Sequence, residues 1–440
     1  MAQKFTSKIL NHPVAQNALS LFTVQIARYM LPIITIPYLA RTLEPENWGL
    51  VIFAQASSQW LIMVLEYGFG LSISREIARY RDKEEQIAKI VTDVIGAWIL
   101  LLLGSGLLML VMGLSIPVFS SYPDFLVWAW LIGIFQGLSP LWYFQGIEQM
   151  QLPALLDFGL RIIATFATFI WIKSSNDGWK VLAISAITSC LSSGMMFLWI
   201  YREIPWQIPR LASALKTLRA GWSMFLFRCS TSLYTIANTF ILGLLLPTAQ
   251  VAFYGGAERI SRTVFSLFIP IAQAFFPRIN YLLANDPRRA AKFVGISMMI
   301  MGGGSLVLGI ALAIAAPSVV DIMLGEKFKP VIPLLRVMVI LIPLNAINNV
   351  LGLQWMVSLG LERLLNSITT IAGLINFTLA LVLSSQFGSV GMAWTVVLSQ
   401  SFIAIAIYII LWQKGLNFHQ VWKMKTNGDD FVAKIKRMRG

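Results

Sequence analysis

The chain has 440 residues, 57% of them hydrophobic and only 12% charged, and it carries a formal net charge of +14. Soluble domains devote about a quarter of their residues to charge, so a composition this apolar excludes an ordinary soluble fold. The apolar residues fall in runs of the roughly 20 that a helix needs to cross a bilayer, which points to an all-α integral membrane protein.

Twelve spanning helices are predicted, near residues 18–41, 49–71, 90–114, 122–143, 153–172, 179–200, 220–246, 252–276, 293–317, 331–357, 364–383 and 389–412. The segment before the first, MAQKFTSKILNHPVAQN, is polar and lacks the apolar core and cleavage site of a signal peptide, so the first helix itself is expected to direct insertion. Lys and Arg resist translocation and collect in cytoplasmic loops. With the N-terminus inside, the cytoplasmic segments hold 23 of the 34 basic residues, the outer loops hold 5, and the other six lie within helices. Both termini are therefore expected in the cytoplasm. The positive excess reflects this orientation and contact with anionic lipid; spread over inner loops and a short tail, it gives no support to a nucleic-acid partner.

Several chemistries find no residues to carry them. Cys190 and Cys229 fall in or near helices and suggest no disulfide framework. His12 and His419 have no metal-ligand neighbours at a useful spacing, and the phosphate loop of ATP-driven pumps is missing. The predicted outer loops are too short for an extramembranous catalytic domain. No cofactor and no metal are expected, and the chain reads as a transporter rather than an enzyme.

Sliding the chain along itself by 203 residues places Asn17–Phe22 over Ala220–Phe225, Ser74 and Arg75 over Pro277 and Arg278, and Ala88 and Lys89 over Ala291 and Lys292. Each match alone means little, but the offset agrees with a spacing of six helices, which preserves insertion direction. Parallel repeats of this kind bind substrate between their halves near mid-membrane. The expected organisation is an N-terminal lobe at 1–201, a cytoplasmic linker at 202–219, a C-terminal lobe at 220–412 and a basic tail at 413–440. Pro205 and Pro209 favour an extended start to the linker, and the basic loops SREIARYRDKEEQIAKI and PRINYLLANDPRRAAKF are candidate interfacial helices.

An ionisable side chain at the centre of a membrane helix costs about 2.5–3.5 kcal/mol on insertion scales, so each one needs a reason. Arg28, Arg161 and Arg228 lie in the first, fifth and seventh predicted helices, about 12–15 Å from the cytoplasmic face. Arg259 and Arg262 lie in the outer half of the eighth, and Arg336 near the outer end of the tenth. The guanidinium fork matches phosphate and carboxylate, so arginines on two facing lobes would line a water-filled cavity suited to an anion. Asp157 precedes Arg161 by four residues and Glu258 precedes Arg262 by four, the spacing of a structural helix pair. Arg336 is shallow enough to snorkel. Arg28 and Arg228 have no acid within a turn of sequence, and Glu66 reads as an interface residue.

Softer features remain. Pro32 and Pro37 should bend or loosen the first helix, as in a gating helix. Trp142, Tyr143 and Phe144 fit an aromatic belt at a membrane edge. Asn345, Asn348, Asn349 and Gln354 set amides on a buried stretch, to face sugar hydroxyls or to bond between helices. Gly302–Gly304 suggests close helix packing or a flexible point.

The patterns LPIITIPYLARTLEPENWGLVIFAQA and EYGFGLSISREIARYR carry Pro37, Arg41, Leu43, Trp48, Gly49, a Tyr67–Gly70 turn and an Arg75–Ala78 run. They resemble polysaccharide-export flippases of the multidrug/oligosaccharidyl-lipid/polysaccharide exporter superfamily. The second half echoes them through NTFILGLLLPTAQVAFYGGAERISR and FFPRINYLL, and the resemblance runs over residues 15–412. It is strongest to O-antigen (Wzx-type) flippases. That resemblance implies a MATE-like fold of two six-helix lobes in an inner cell membrane. It implies an undecaprenyl-pyrophosphate-linked oligosaccharide as substrate, with membrane lipids and other polysaccharide-assembly proteins as partners. On this reading Arg28, Arg161 and Arg228 receive the pyrophosphate, Arg259 and Arg262 offer a second position, and Asp157 and Glu258 are candidates for ion coupling. Two rivals are a cation-coupled drug exporter and a polytopic glycan polymerase or ligase. The first helix has no acid of the kind such exporters carry, and the outer loops give an enzyme little room. Lipid II flippases look similar but usually have fourteen helices.

Overall fold

The computed structural model describes residues 13–423, with side chains except those of residues 13–30, Pro32, some between 223 and 235, and Lys423. It is helical nearly throughout, with no strand among the described residues. Two compact units divide the chain, Met1–Cys229 and Ser230–Gly440.

The first unit holds α1 (Pro13–Glu66), α2 (Phe69–Arg79), α3 (Glu84–Ser115), α4 (Pro117–Ser121), α5 (Pro123–Gly137), α6 (Leu141–Gly146), α7 (Gln151–Trp171), α8 (Gly178–Glu203) and most of α9 (Leu211–Thr235). The second holds α10 (Ala237–Leu245), α11 (Thr248–Ser266), α12 (Ile269–Asn285), α13 (Pro287–Ser297), α14 (Gly304–Met323), α15 (Val331–Met338), α16 (Leu341–Asn348), α17 (Glu362–Gln413) and α18 (Phe418–Lys423). π-Helical segments, Met298–Gly303 and Asn349–Val357, join α13 to α14 and extend α16. Pro287 opens α13 203 residues after Glu84 opens α3, the offset of the sequence repeat.

Among the described residues, eight helices are long and apolar enough to cross a membrane, or nine when α11 and α12, bent by 44° at their junction, count as one span. Two of the eight are far longer than one crossing requires, Ile33–Arg79 at 47 residues and Glu362–Trp422 at 61. Both contain a break. α1 leaves helical geometry at Glu44 (φ 61, ψ 168), immediately before Pro45, whose ring disfavours a helical residue ahead of it. Helical backbone continues past Pro32 and Pro37 to this point. α17 breaks at Gly388 (φ 62, ψ −143), a backbone region open to glycine. There the Gln250 side chain accepts a 3.1 Å hydrogen bond from Ser389 N.

The first basic loop folds into an amphipathic turn of structure. Along α2, Phe69, Ile73, Ser74 and Ile77 are buried while Arg75, Glu76 and Arg79 are exposed, the spacing of a one-sided helix. α6 packs on it, and this overturns one expectation. Trp142, Tyr143 and Phe144 are each at most 2% exposed, so they form core and not a membrane-edge belt. Trp142 packs 5.8 Å from Trp98, and the Tyr143 hydroxyl donates to Glu203 at 2.9 Å. Their aromatic cluster is buried within the protein, because α2 covers the short helix that carries them. Residues 205–210, with Pro205 and Pro209, are non-helical, after which α9 runs on unbroken to Thr235.

Two amides of the tenth predicted helix bond between helices. Asn348 Nδ2 donates to Gln400 at 2.8 Å, and Gln354, with no exposed surface, accepts from Ser297 at 2.7 Å.

Candidate functional site

Charged side chains in apolar helices are the residues that packing alone does not explain. In the first unit α7 packs on α1 and α8, and Pro153, Leu160 and Thr168 are its buried residues. Leu155, Ile163, Phe166 and Ile170 are exposed. On this open helix Arg161 Nε donates to Asp157 Oδ2 at 2.9 Å, with side chains 45% and 37% exposed. The pair follows from the i,i+4 spacing. Thr165 donates to the Arg161 carbonyl at 2.8 Å.

Arg228 on α9 is also paired, with Glu66, the last residue of α1. Sequence spacing could not supply this acid, which is 162 residues away. What delivers it is the turn after α1. Tyr67 and Gly68 both adopt left-handed backbone (φ 49 and 78). The Tyr67 ring stacks on Phe225 at 4.7 Å, and a Cβ on Gly68 would come within 2.8 Å of Met224 Cβ. Glycine thus lets the turn sit directly on α9, one helical turn before Arg228, while Trp98 Nε1 holds the Leu65 carbonyl at 2.9 Å.

In the second unit Arg262 Nη2 donates to Glu258 Oε1 at 2.5 Å along α11, with side chains 70% and 27% exposed. The other Glu258 oxygen accepts from Thr239 on α10 at 3.5 Å, a partner that spacing did not reveal. Tyr254, one turn earlier, is buried, and Ser261 donates to the Met338 carbonyl of α15 at 3.0 Å. These contacts fix the helix that presents the charges. Arg259 is half-buried on α11, Pro37 half-buried on α1, and Arg336 exposed on α15. The side chains of Arg28 and Pro32 lie outside the described residues.

Chemically, each described pair joins a planar donor fork to a carboxylate that a phosphate can replace. Among the described residues no group of three or more His, Cys, Asp or Glu comes together, so no metal ligands are assigned.

A family profile described as polysaccharide biosynthesis protein matches residues 14–282. A protein of Escherichia coli (strain K12) named "Putative O-antigen transporter" is 28% identical over 400 residues, covering 88% of this chain and 94% of its own length. Among solved structures the fold is similar to that of the lipid II flippase MurJ in an inward closed conformation. That match has a TM-score of 0.65 at 12% identity and covers 95% of this chain and 96% of that one. The MATE multidrug transporter DinF-BH gives a TM-score of 0.53 at 17% identity, over 92% and 94% of the two chains. At such identities structural likeness speaks for the fold alone. The profile, by contrast, spans more than half of the sequence, and with the apolar helices it places the chain as a multi-pass membrane protein belonging to the polysaccharide biosynthesis protein family.

Proposed function

We propose that the protein is a flippase, not an enzyme, which carries a polyprenyl-pyrophosphate-linked oligosaccharide across the inner membrane by alternating access. Twelve crossings, with both termini in the cytoplasm, complete this reading. The observation that carries it is the occurrence of ion-paired arginines on helices of both units, one of which, α7, is apolar enough to cross a membrane by itself, in a chain 28% identical over 400 residues to a protein named "Putative O-antigen transporter".

An unpaired guanidinium is too costly in hydrocarbon; one already paired and open to water can exchange its carboxylate for the pyrophosphate of an arriving substrate. Arg28, Arg161 and Arg228 receive the anion from the cytoplasmic side, and Arg259 and Arg262 hold it nearer the outer side. Asp157 and Glu258, the acids that the anion displaces from Arg161 and Arg262, are the candidate coupling groups. The glycan crosses in water, while the tail keeps apolar surroundings, because each exposed CH₂ would cost about 0.8 kcal/mol.

Deleting the gene from its host should abolish surface polymer and leave lipid-linked glycan on the cytoplasmic side. Arg28→Ala and Arg228→Ala should each abolish flipping in liposomes at normal expression, and unchanged glycan export by both variants would sink the cationic route. Intact polysaccharide together with sensitivity to cationic compounds would instead assign drug export.

A further inference from the structure

Where α11 gives way to α12, the second unit contains a cavity of about 280 Å³. Its walls are apolar: Phe265, Phe268 and Phe276 come from the bend, Met301 from one π-helical segment and Leu353 from the other. Gln273 and Asn349 are its amides. Gln273 and Leu353 are exposed, so the cavity opens on their side. An engineered apolar cavity of about 150 Å³ accepts a benzene ring, so this one has room for roughly ten carbon atoms. π-Helical turns are rare and recur at functional sites; here two of them border one space.

Of the two amides, Asn349 is held in place from behind. Gln354 Nε2 donates to Asn349 Oδ1 at 3.1 Å and lies 3.2 Å from Met301 Sδ, while Gln354 Oε1 accepts from Ser297. With its oxygen engaged, Asn349 offers the cavity its Nδ2 donors. In the proposed topology Met301 and Asn349 lie about 12 Å inside the cytoplasmic face, in the leaflet from which the substrate would be loaded.

An apolar space of about ten carbons, with Asn349 anchored on its wall, Gln273 at its mouth and an opening in the cytoplasmic leaflet, matches one segment of a lipid-linked glycan. We infer that this cavity binds the first isoprene units of the substrate tail, with Asn349 donating to an oxygen where the tail meets the pyrophosphate. The inference rests on the flippase reading for the identity of the lipid, and it assigns the start of the tail to the protein instead of the bilayer.

The test uses the full chain in nanodiscs and a polyprenyl phosphate bearing a diazirine on its second isoprene unit, followed by peptide mapping. The label is expected in 265–276, 298–303 or 349–357. Leu353→Trp, at the exposed mouth, should lower labelling about tenfold, the factor for displacing two methylene groups. Asn349→Ala should lower it by a smaller factor. Excess unlabelled polyprenyl phosphate should remove the label, and a diacyl phosphatidate should not. Labelling elsewhere, or labelling indifferent to Leu353→Trp, overturns the inference, and equal competition by phosphatidate overturns the isoprenoid assignment. Flipping by the same preparation in liposomes reads the function separately. Protein that flips glycan lipid but labels elsewhere keeps the function and loses the cavity; protein that labels in the cavity without flipping does the reverse.

Discussion

Arg262 and Arg228 are both arginines set within helices and paired with an acid, and they find that acid differently. On α11 the acid rides on the same helix, so the helix alone re-forms the Glu258–Arg262 pair whenever no other anion holds the arginine. Arg228 takes its acid from Glu66, and that pair exists only while the Tyr67–Gly68 turn is seated on α9. A local pair needs no other element to bring its partners together. A long-range pair can be made or broken by a small movement of one element, which suits it to a step that opens or closes.

The largest expected effect comes from unseating the turn. Gly68→Val places a side chain in left-handed backbone, at about 1–2 kcal/mol, and drives it into Met224, at about 1–3 kcal/mol. A marked fall in the thermal unfolding midpoint in detergent, with loss of flipping, is the outcome to look for. A wild-type midpoint would show that the turn does not hold the pair together. Next comes the pair itself. A double-mutant cycle of Glu66→Gln and Arg228→Gln should give a coupling of about 1–2 kcal/mol, and the swap of Glu66→Arg with Arg228→Glu should recover transport that either single change loses. The smallest effect is predicted on α11. Glu258→Gln with Arg262→Gln should couple by about 0.3–0.5 kcal/mol, near the lower end because solvent screens an Arg262 side chain that is 70% exposed. A larger coupling on α11 than at Glu66 would invert the comparison and make the local pair the working element.

Legibility in the sequence followed the range of the interaction. Asp157–Arg161 and Glu258–Arg262 were readable because a four-residue spacing on a helix dictates proximity. Glu66 was not, since no local pattern marks a partner 162 residues away. The Tyr-Gly step after it signals a turn but not what the turn rests on. Trp142, Tyr143 and Phe144 misled for a related reason: aromatic residues at the end of an apolar run look alike whether they meet headgroups or a covering helix, and α2 turned out to be that cover. The helix break before Pro45 was written in the chain, whereas the π-helical turns at 298–303 and 349–357 had no sequence mark beyond glycines and amides.

By itself, then, the sequence determined the class of protein, the run of apolar helices and the charge pairs within single helices. Hydropathy and i,i+4 spacing are properties of neighbouring residues and need no tertiary context. Only the folded structure decided which acid meets Arg228, which aromatic residues are core, and where a buried glutamine turns Asn349 toward a cavity. Those depend on which surfaces of distant helices are pressed together, and packing of that kind is set by the shape of the whole unit.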